Sequence, residues 1–166
     1  MGFEEAVPDQ AFAKIGIMGL QGSGKSRTAT EIALGLHAML VAAGHRKAEQ
    51  PVYMCDTETG SSWLRPLYEK AGVKFFVDKR KSFRALIEGT EQVADEEGIL
   101  IIDSITHFWI ELQEAFSRKK NRDLQFQDWA EIKGTDLWGR FTNLLVNSPA
   151  HIIMCGRMGW NYDYEM

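Results

Sequence analysis

The sequence predicts an α/β domain: a mostly parallel sheet with helices on both faces, three layers in all. Three observations predict it. Short apolar runs alternate with segments of helical spacing along the whole chain, the pattern of successive β–α–β units. Ile99-Leu100-Ile101-Ile102 is apolar without a break, as a strand covered on both faces must be. Finally, Gly19-Leu20-Gln21-Gly22-Ser23-Gly24-Lys25-Ser26 stands between an apolar run and a helical one, so strand, glycine loop and helix N-terminus follow in order.

The elements follow from spacing and punctuation. Residues 1–10 read as a loose arm. Phe12 to Met18 is the first strand, and Ala29, Ile32, Ala33, Leu36, Leu40 and Ala43 mark a helix that Gly44 stops. A polar turn, Gly44 to Gln50, leads to a second strand at Pro51 to Cys55. Ser61 to Ala71 is helical, capped by Ser61 or Ser62 and ended by Gly72. Val73 to Val77 is the third strand. Ser82 to Glu97 is a helix with Phe83, Leu86, Ile87 and Val93 on one face, and Gly98 closes it. After the strand at Ile99 to Ile102, a helix is expected over Ile105 to Phe116 and a charged loop over Ser117 to Phe126. A helix over Trp129 to Val146, weakened at Gly134 and Gly139, leads to the fifth strand, His151 to Cys155.

Composition bounds the function. A chain of 166 residues with 45% hydrophobic and 25% charged residues is a single globular domain rather than a disordered segment. A net charge of −4 provides no global basic field, so any contact with nucleic acid must be local. Cys55 and Cys155 each fall late in a strand and read as small core residues, which suits a reducing compartment. The four histidines lack ligand spacing. No apolar run approaches the length that crosses a membrane and no signal peptide is evident, so the expectation is a cytoplasmic protein with no membrane partner.

The glycine loop carries the chemistry. Gly19 to Ser26 satisfies G-x-x-x-x-G-K-[ST], in which successive backbone N–H groups curl around phosphate oxygens. Lys25 reaches the β- and γ-phosphates, Ser26 holds Mg²⁺, and the helix N-terminus that includes Arg27 favours the anion. The ligand expected is a nucleoside triphosphate, with ATP and Mg²⁺ as the cofactor pair. A second metal anchor is needed at the end of a buried strand, and Asp103 fits; its alternative role is to cap the helix near Ile105. Hydrolysis also requires a group that orients or deprotonates water. Glu58, at the end of the second strand in Asp56-Thr57-Glu58, is the candidate, with Asp56 positioning it or a metal-bound water. The alternative is that both are solvated turn carboxylates.

With these residues in place, the chain resembles a RecA-type ATPase core, in particular the small phage-encoded RecA-like proteins labelled as AAA-family ATPases, some of which assist single-strand annealing. Gly19 to Ser26, Asp56-Thr57-Glu58, Ile101-Ile102-Asp103-Ser104 and His151 to Arg157 carry the likeness, with Phe126-Gln127-Asp128-Trp129 and Trp138 adding to it. The resemblance covers most of the chain and implies that Glu58 is the catalytic glutamate. It implies that the strand ending at Cys155 lies between the loop strand and the Asp103 strand, with Arg157 at the γ-phosphate. Arg157 departs from the small or amide side chain that the family favours there. Three roles stand open for it: stabilising charge in cis, reaching a neighbouring subunit's nucleotide, or lying solvated at the surface. Relatives continue with further β structure beyond the fifth strand, whereas this sequence stops at Met166, as a truncated piece or a minimal version.

The resemblance also implies partners: a second copy of the chain in a homo-oligomer, and single-stranded DNA in phage-type recombination, annealing or repair within the host cytoplasm. Arg118, Lys119, Lys120 and Arg122 fall where RecA-type proteins carry a DNA-contacting loop, and Phe116, Phe126 and Trp129 are placed to stack bases. Lys79, Arg80, Lys81 and Arg84 form a second basic group. The alternative is a solvated loop beside core aromatics, with Trp109, Trp129 and Trp138 in the core. Two other functions share the loop: a small-molecule or nucleotide kinase, and a non-catalytic ATP-binding switch.

Overall fold

In the computed structural model, which describes residues 11–159, the alternation becomes five strands and six helices. The strands are β1 (Lys14–Gly19), β2 (Val52–Asp56), β3 (Phe75–Asp78), β4 (Ile99–Asp103) and β5 (His151–Arg157). The helices are α1 (Lys25–Ala42), α2 (Ser61–Ala71), α3 (Phe83–Asp95), α4 (Ile105–Lys120), α5 (Asp128–Lys133) and α6 (Asp136–Asn147). The arm expected at residues 1–10 lies outside the described residues. Every strand pair is parallel, and the order is β1-β5-β4-β2-β3. The last strand is therefore inserted between the loop strand and the Asp103 strand, as expected.

The uninterrupted apolar run of β4 is explained by its two faces. Ile99 and Ile101 point into a core with Val52, Met54, Ile153 and Cys155, closed by Ala29 and Ala33 of α1 and Leu64 and Tyr68 of α2. Leu100 and Ile102 point the other way, into a second core built with α3, α4, α5 and α6. Alternate side chains of a strand face opposite sides, so a central strand between two cores has no polar position to spare. Cys55 and Cys155 belong to different cores and are free thiols, and burial pushes each up to about 12. The three tryptophans expected in the core cluster there: Trp109 lies 4.7 Å from Trp138 and 6.2 Å from Trp129, ring centre to ring centre.

Besides shifts of one or two residues at the ends of β1, β2, β3, α3 and β5, three features differ from expectation. Helix α4 continues through Ser117 to Lys120, so the loop starts four residues later than its charge suggested. Phe116 is buried and holds the last turn against the core, with the Lys120 ammonium 5.3 Å from its ring centre. The helix expected over Trp129 to Val146 is two helices: Gly134 ends α5, and Thr135 starts α6 by accepting a hydrogen bond from the Trp138 N–H (3.3 Å). Neither Ser61 nor Ser62 caps α2. Its first N–H groups are held by Asp56, as described below.

The segment between α4 and α5 is tied by Asp128. Its carboxylate accepts two hydrogen bonds from Arg122 (2.6 and 3.0 Å) and one from the Gln125 N–H (2.7 Å). The Arg122 guanidinium holds the Asp128 carboxyl down at about 2. A carboxylate depressed in the folded state stabilises above its unfolded pKa, near 3.9, and that stability is lost as pH falls through about 2. Asp128→Asn is therefore expected to lower the urea midpoint at pH 7 and to flatten its fall between about pH 4 and 2. An unchanged acid profile in the variant would show that the pair does not contribute.

Candidate functional site

The loop after β1 has the backbone that its glycines permit. Gly22 and Gly24 take φ of +77° and +87°, in the left-handed region that side chains rarely adopt. A Cβ on Gly19 would meet Ser23 Oγ at 2.6 Å, so the Ser23 hydroxyl would have to turn away to admit a side chain there. Helix α1 opens without a side-chain cap, leaving the N–H groups of its first turn unclaimed by any side chain. Lys25 is buried and donates from Nζ to the Leu20 carbonyl (2.9 Å), folding over the loop. Leu20, Gln21, Gly22, Ser23 and Gly24 are exposed. Arg27, expected among the phosphate contacts, turns its guanidinium to Glu31 (2.8 Å), so only its backbone N–H remains for that role.

The parallel register brings the other candidates to the same edge. Gly19 lies opposite Arg157, Cys155 opposite Asp103, and Asp103 opposite Asp56. Asp103, fully buried, accepts a hydrogen bond from the Ser26 hydroxyl on Oδ2. It does not cap α4, whose preceding residue is Ser104. Among the described residues, Asp103 Oδ1 and Ser104 Oγ are the buried side-chain atoms without a hydrogen-bond partner. Burial pushes the Asp103 carboxyl above its ordinary value, and the charges of Glu58 and Asp56 push it further, against the Ser26 hydrogen bond and Lys25. Three carboxylates thus meet two cations, Lys25 and Arg157. A buried oxygen with no donor, beside the hydroxyl of the loop and in an excess of negative charge, suits a hard divalent cation such as Mg²⁺.

Asp56 organises the turn that carries Glu58. Its Oδ1 accepts from the N–H groups of Glu58 (3.0 Å) and Gly60 (3.2 Å), and Oδ2 from that of Ser61 (2.9 Å). Burial alone would raise its pKa, but the hydrogen bonds of Ser61, Gly60 and Glu58 outweigh it and keep the carboxyl below the usual value. Both oxygens are engaged, so of its two expected roles this geometry serves the positioning of Glu58. The Glu58 carboxylate accepts from Arg157 Nε (2.8 Å), and that bond holds it below the ordinary carboxylate range.

Sequence reasoning missed a second ring of residues. The Thr57 hydroxyl accepts from the Ser104 N–H (2.9 Å) and lies 3.1 Å from the Asp103 carbonyl and 2.8 Å from His107 Nδ1. Thr106 Oγ1 accepts from the Arg157 N–H (2.9 Å). These contacts lock the ends of β2, β4 and β5 to the first turn of α4. Thr57 stands between the two carboxylates singled out from the sequence, which was the one available hint; for Thr106 and His107, whose partners are about fifty positions away, there was none.

The basic residues considered for DNA are elsewhere and largely paired. Arg122 is held by Asp128, Lys120 by Glu131 (2.7 Å), and Arg118 lies 3.7 Å from Glu114 and 3.8 Å from Glu111. In the other group, Arg80 pairs with Asp78 and Glu88. Of the aromatics, Phe116 is buried and Trp129 packs against the core, while Phe126 is 93% exposed. Among the described residues no helix is long and apolar enough to cross a membrane. No model of a known protein family matches the chain, and no curated protein matches it in sequence.

Proposed function

We propose that the chain is a Mg²⁺-dependent ATPase with a RecA-like arrangement of its phosphate-binding loop. One observation carries the reading: the convergence of the Gly19–Ser26 loop, Asp103 and Glu58 at one edge of a parallel sheet, with a buried Asp103 oxygen lacking any donor. The loop N–H groups and Lys25 bind the phosphates, and Ser26 and Asp103 are the residues that would hold the metal. Bound there, Mg²⁺ would neutralise part of the charge on the phosphates. Glu58 takes a proton from the attacking water as its oxygen bonds to the γ-phosphorus. The bond from that phosphorus to the bridging oxygen breaks, and ADP leaves with the electron pair.

A kinase requires an acceptor pocket beside the loop. The cavity of about 200 Å³ at the β3 edge is lined by Tyr53, Cys55, Phe76, Gly89 and Gln92 among others, and by no residue of Gly19–Ser26. Water as the acceptor rests instead on Glu58, which Asp56 positions at the end of β2. Coupling to single-stranded DNA is a further part of the proposal: Phe126 is exposed, and Lys119 is the residue of its cluster without an ion-pair partner among the described residues. Surface pairs such as Lys120–Glu131 are weak enough to exchange for phosphate.

ATP turnover measured with Mg²⁺, with and without single-stranded DNA, tests both parts, with Lys25→Ala as the control. Turnover that disappears in the control is the expected result, and stimulation by DNA would support the coupling. ATP binding without turnover under either condition would favour the switch reading. Absence of ATP binding would remove the proposal.

A further inference from the structure

Arg157 and Glu58 meet across the site, although they are separated by 99 positions. The arginine engages its partner through Nε alone; among the described residues, its terminal nitrogens have no hydrogen-bond partner. Its main chain is fixed on both sides. The Arg157 N–H donates to Thr106 Oγ1 (2.9 Å), and the Met158 N–H donates to the carbonyl of Gly19, the first residue of the phosphate loop (3.1 Å). The side chain is free by comparison: it is 30% exposed, and Glu58 is 20% exposed. A partly exposed ion pair held by one hydrogen bond is inexpensive to open. A guanidinium with spare donors is also well suited to a phosphate, which accepts two parallel hydrogen bonds.

We propose that Arg157 is a positioning residue that acts as a γ-phosphate-sensitive latch on Glu58. Without a γ-phosphate, Arg157 holds the Glu58 carboxylate; a triphosphate draws the guanidinium to itself and leaves Glu58 free to take a proton from water. This exchange rests on the ATPase reading above. It links the arrival of the third phosphate to the freeing of the base, and ADP, lacking that phosphate, leaves the latch closed. A ligand shifts such an equilibrium only by its differential affinity for the two states, so the latch must appear in binding as well as in turnover.

The test is a double-mutant cycle read by equilibrium binding of Mg²⁺ with ATPγS, and separately with ADP, to the full chain. Glu58→Gln weakens the grip on Arg157, so ATPγS binds more tightly, by about five-fold, while ADP affinity stays nearly constant. In an Arg157→Ala background the gain from Glu58→Gln disappears, and the preference for ATPγS over ADP falls. Arg157→Gln, neutral and of similar length, repeats the cycle should the alanine variant fold poorly. Equal tightening by Glu58→Gln with and without Arg157 would be simple relief of charge repulsion and would overturn the latch. Wild-type protein that binds neither nucleotide would overturn the ATPase reading and the latch together. Lys25-dependent binding with an additive cycle would overturn the latch alone.

Discussion

Glu58→Gln is expected to lower ATP turnover by about 10²–10⁴-fold, the contribution of a positioned general base, while ATP binding persists. The amide matches the carboxylate in size and still accepts the hydrogen bond from Arg157 Nε, but it cannot take the proton of the attacking water. Asp56 holds the turn through the backbone N–H groups of Glu58, Gly60 and Ser61, so the substitution leaves the local fold in place. Steady-state turnover and binding, measured on the same preparation, check it. Turnover within a few-fold of wild type would take the role of base away from Glu58 and move the protein toward a switch.

The largest stability effect is expected at Phe108. Its side chain is fully buried in the core that α4 shares with α3, α5 and α6. Phe108→Ala removes a large ring from a closed site and should cost about 3–5 kcal/mol, by lost transfer free energy and the cavity left behind. Phe108→Leu keeps most of the volume and should cost about 1.5 kcal/mol or less. Denaturant unfolding measures both, and a cost below about 1 kcal/mol for the alanine variant would contradict this packing of α4. The effect reaches the site, because the two preceding residues, Thr106 and His107, tie α4 to Arg157 and Thr57.

Much of this molecule was legible beforehand because its signals are local. An uninterrupted apolar strand, glycines at left-handed positions and helical spacing each act over a few residues, and β4, the Gly19–Ser26 loop and α1 stand where those signals put them. Local signals misled where two compete. The charges of Arg118, Lys119 and Lys120 suggested a loop, but burial of Phe116 one turn earlier extends the helix beneath them. Ser61 and Ser62 have the chemistry of caps, yet Asp56, supplied by the preceding strand, reaches the same N–H groups.

By itself the sequence determined the parallel α/β class, the position of the phosphate-loop motif and the candidacy of Asp103 and Glu58, since each depends on residue type and spacing within one segment. Tertiary structure alone decided what those residues touch. The Ser26–Asp103 hydrogen bond, the Thr57 contacts and the Arg157–Glu58 pair join segments 46 to 99 positions apart. No spacing rule reaches across such separations. They close because five parallel strands deliver their ends to one edge, in an order that places β5 between β1 and β4.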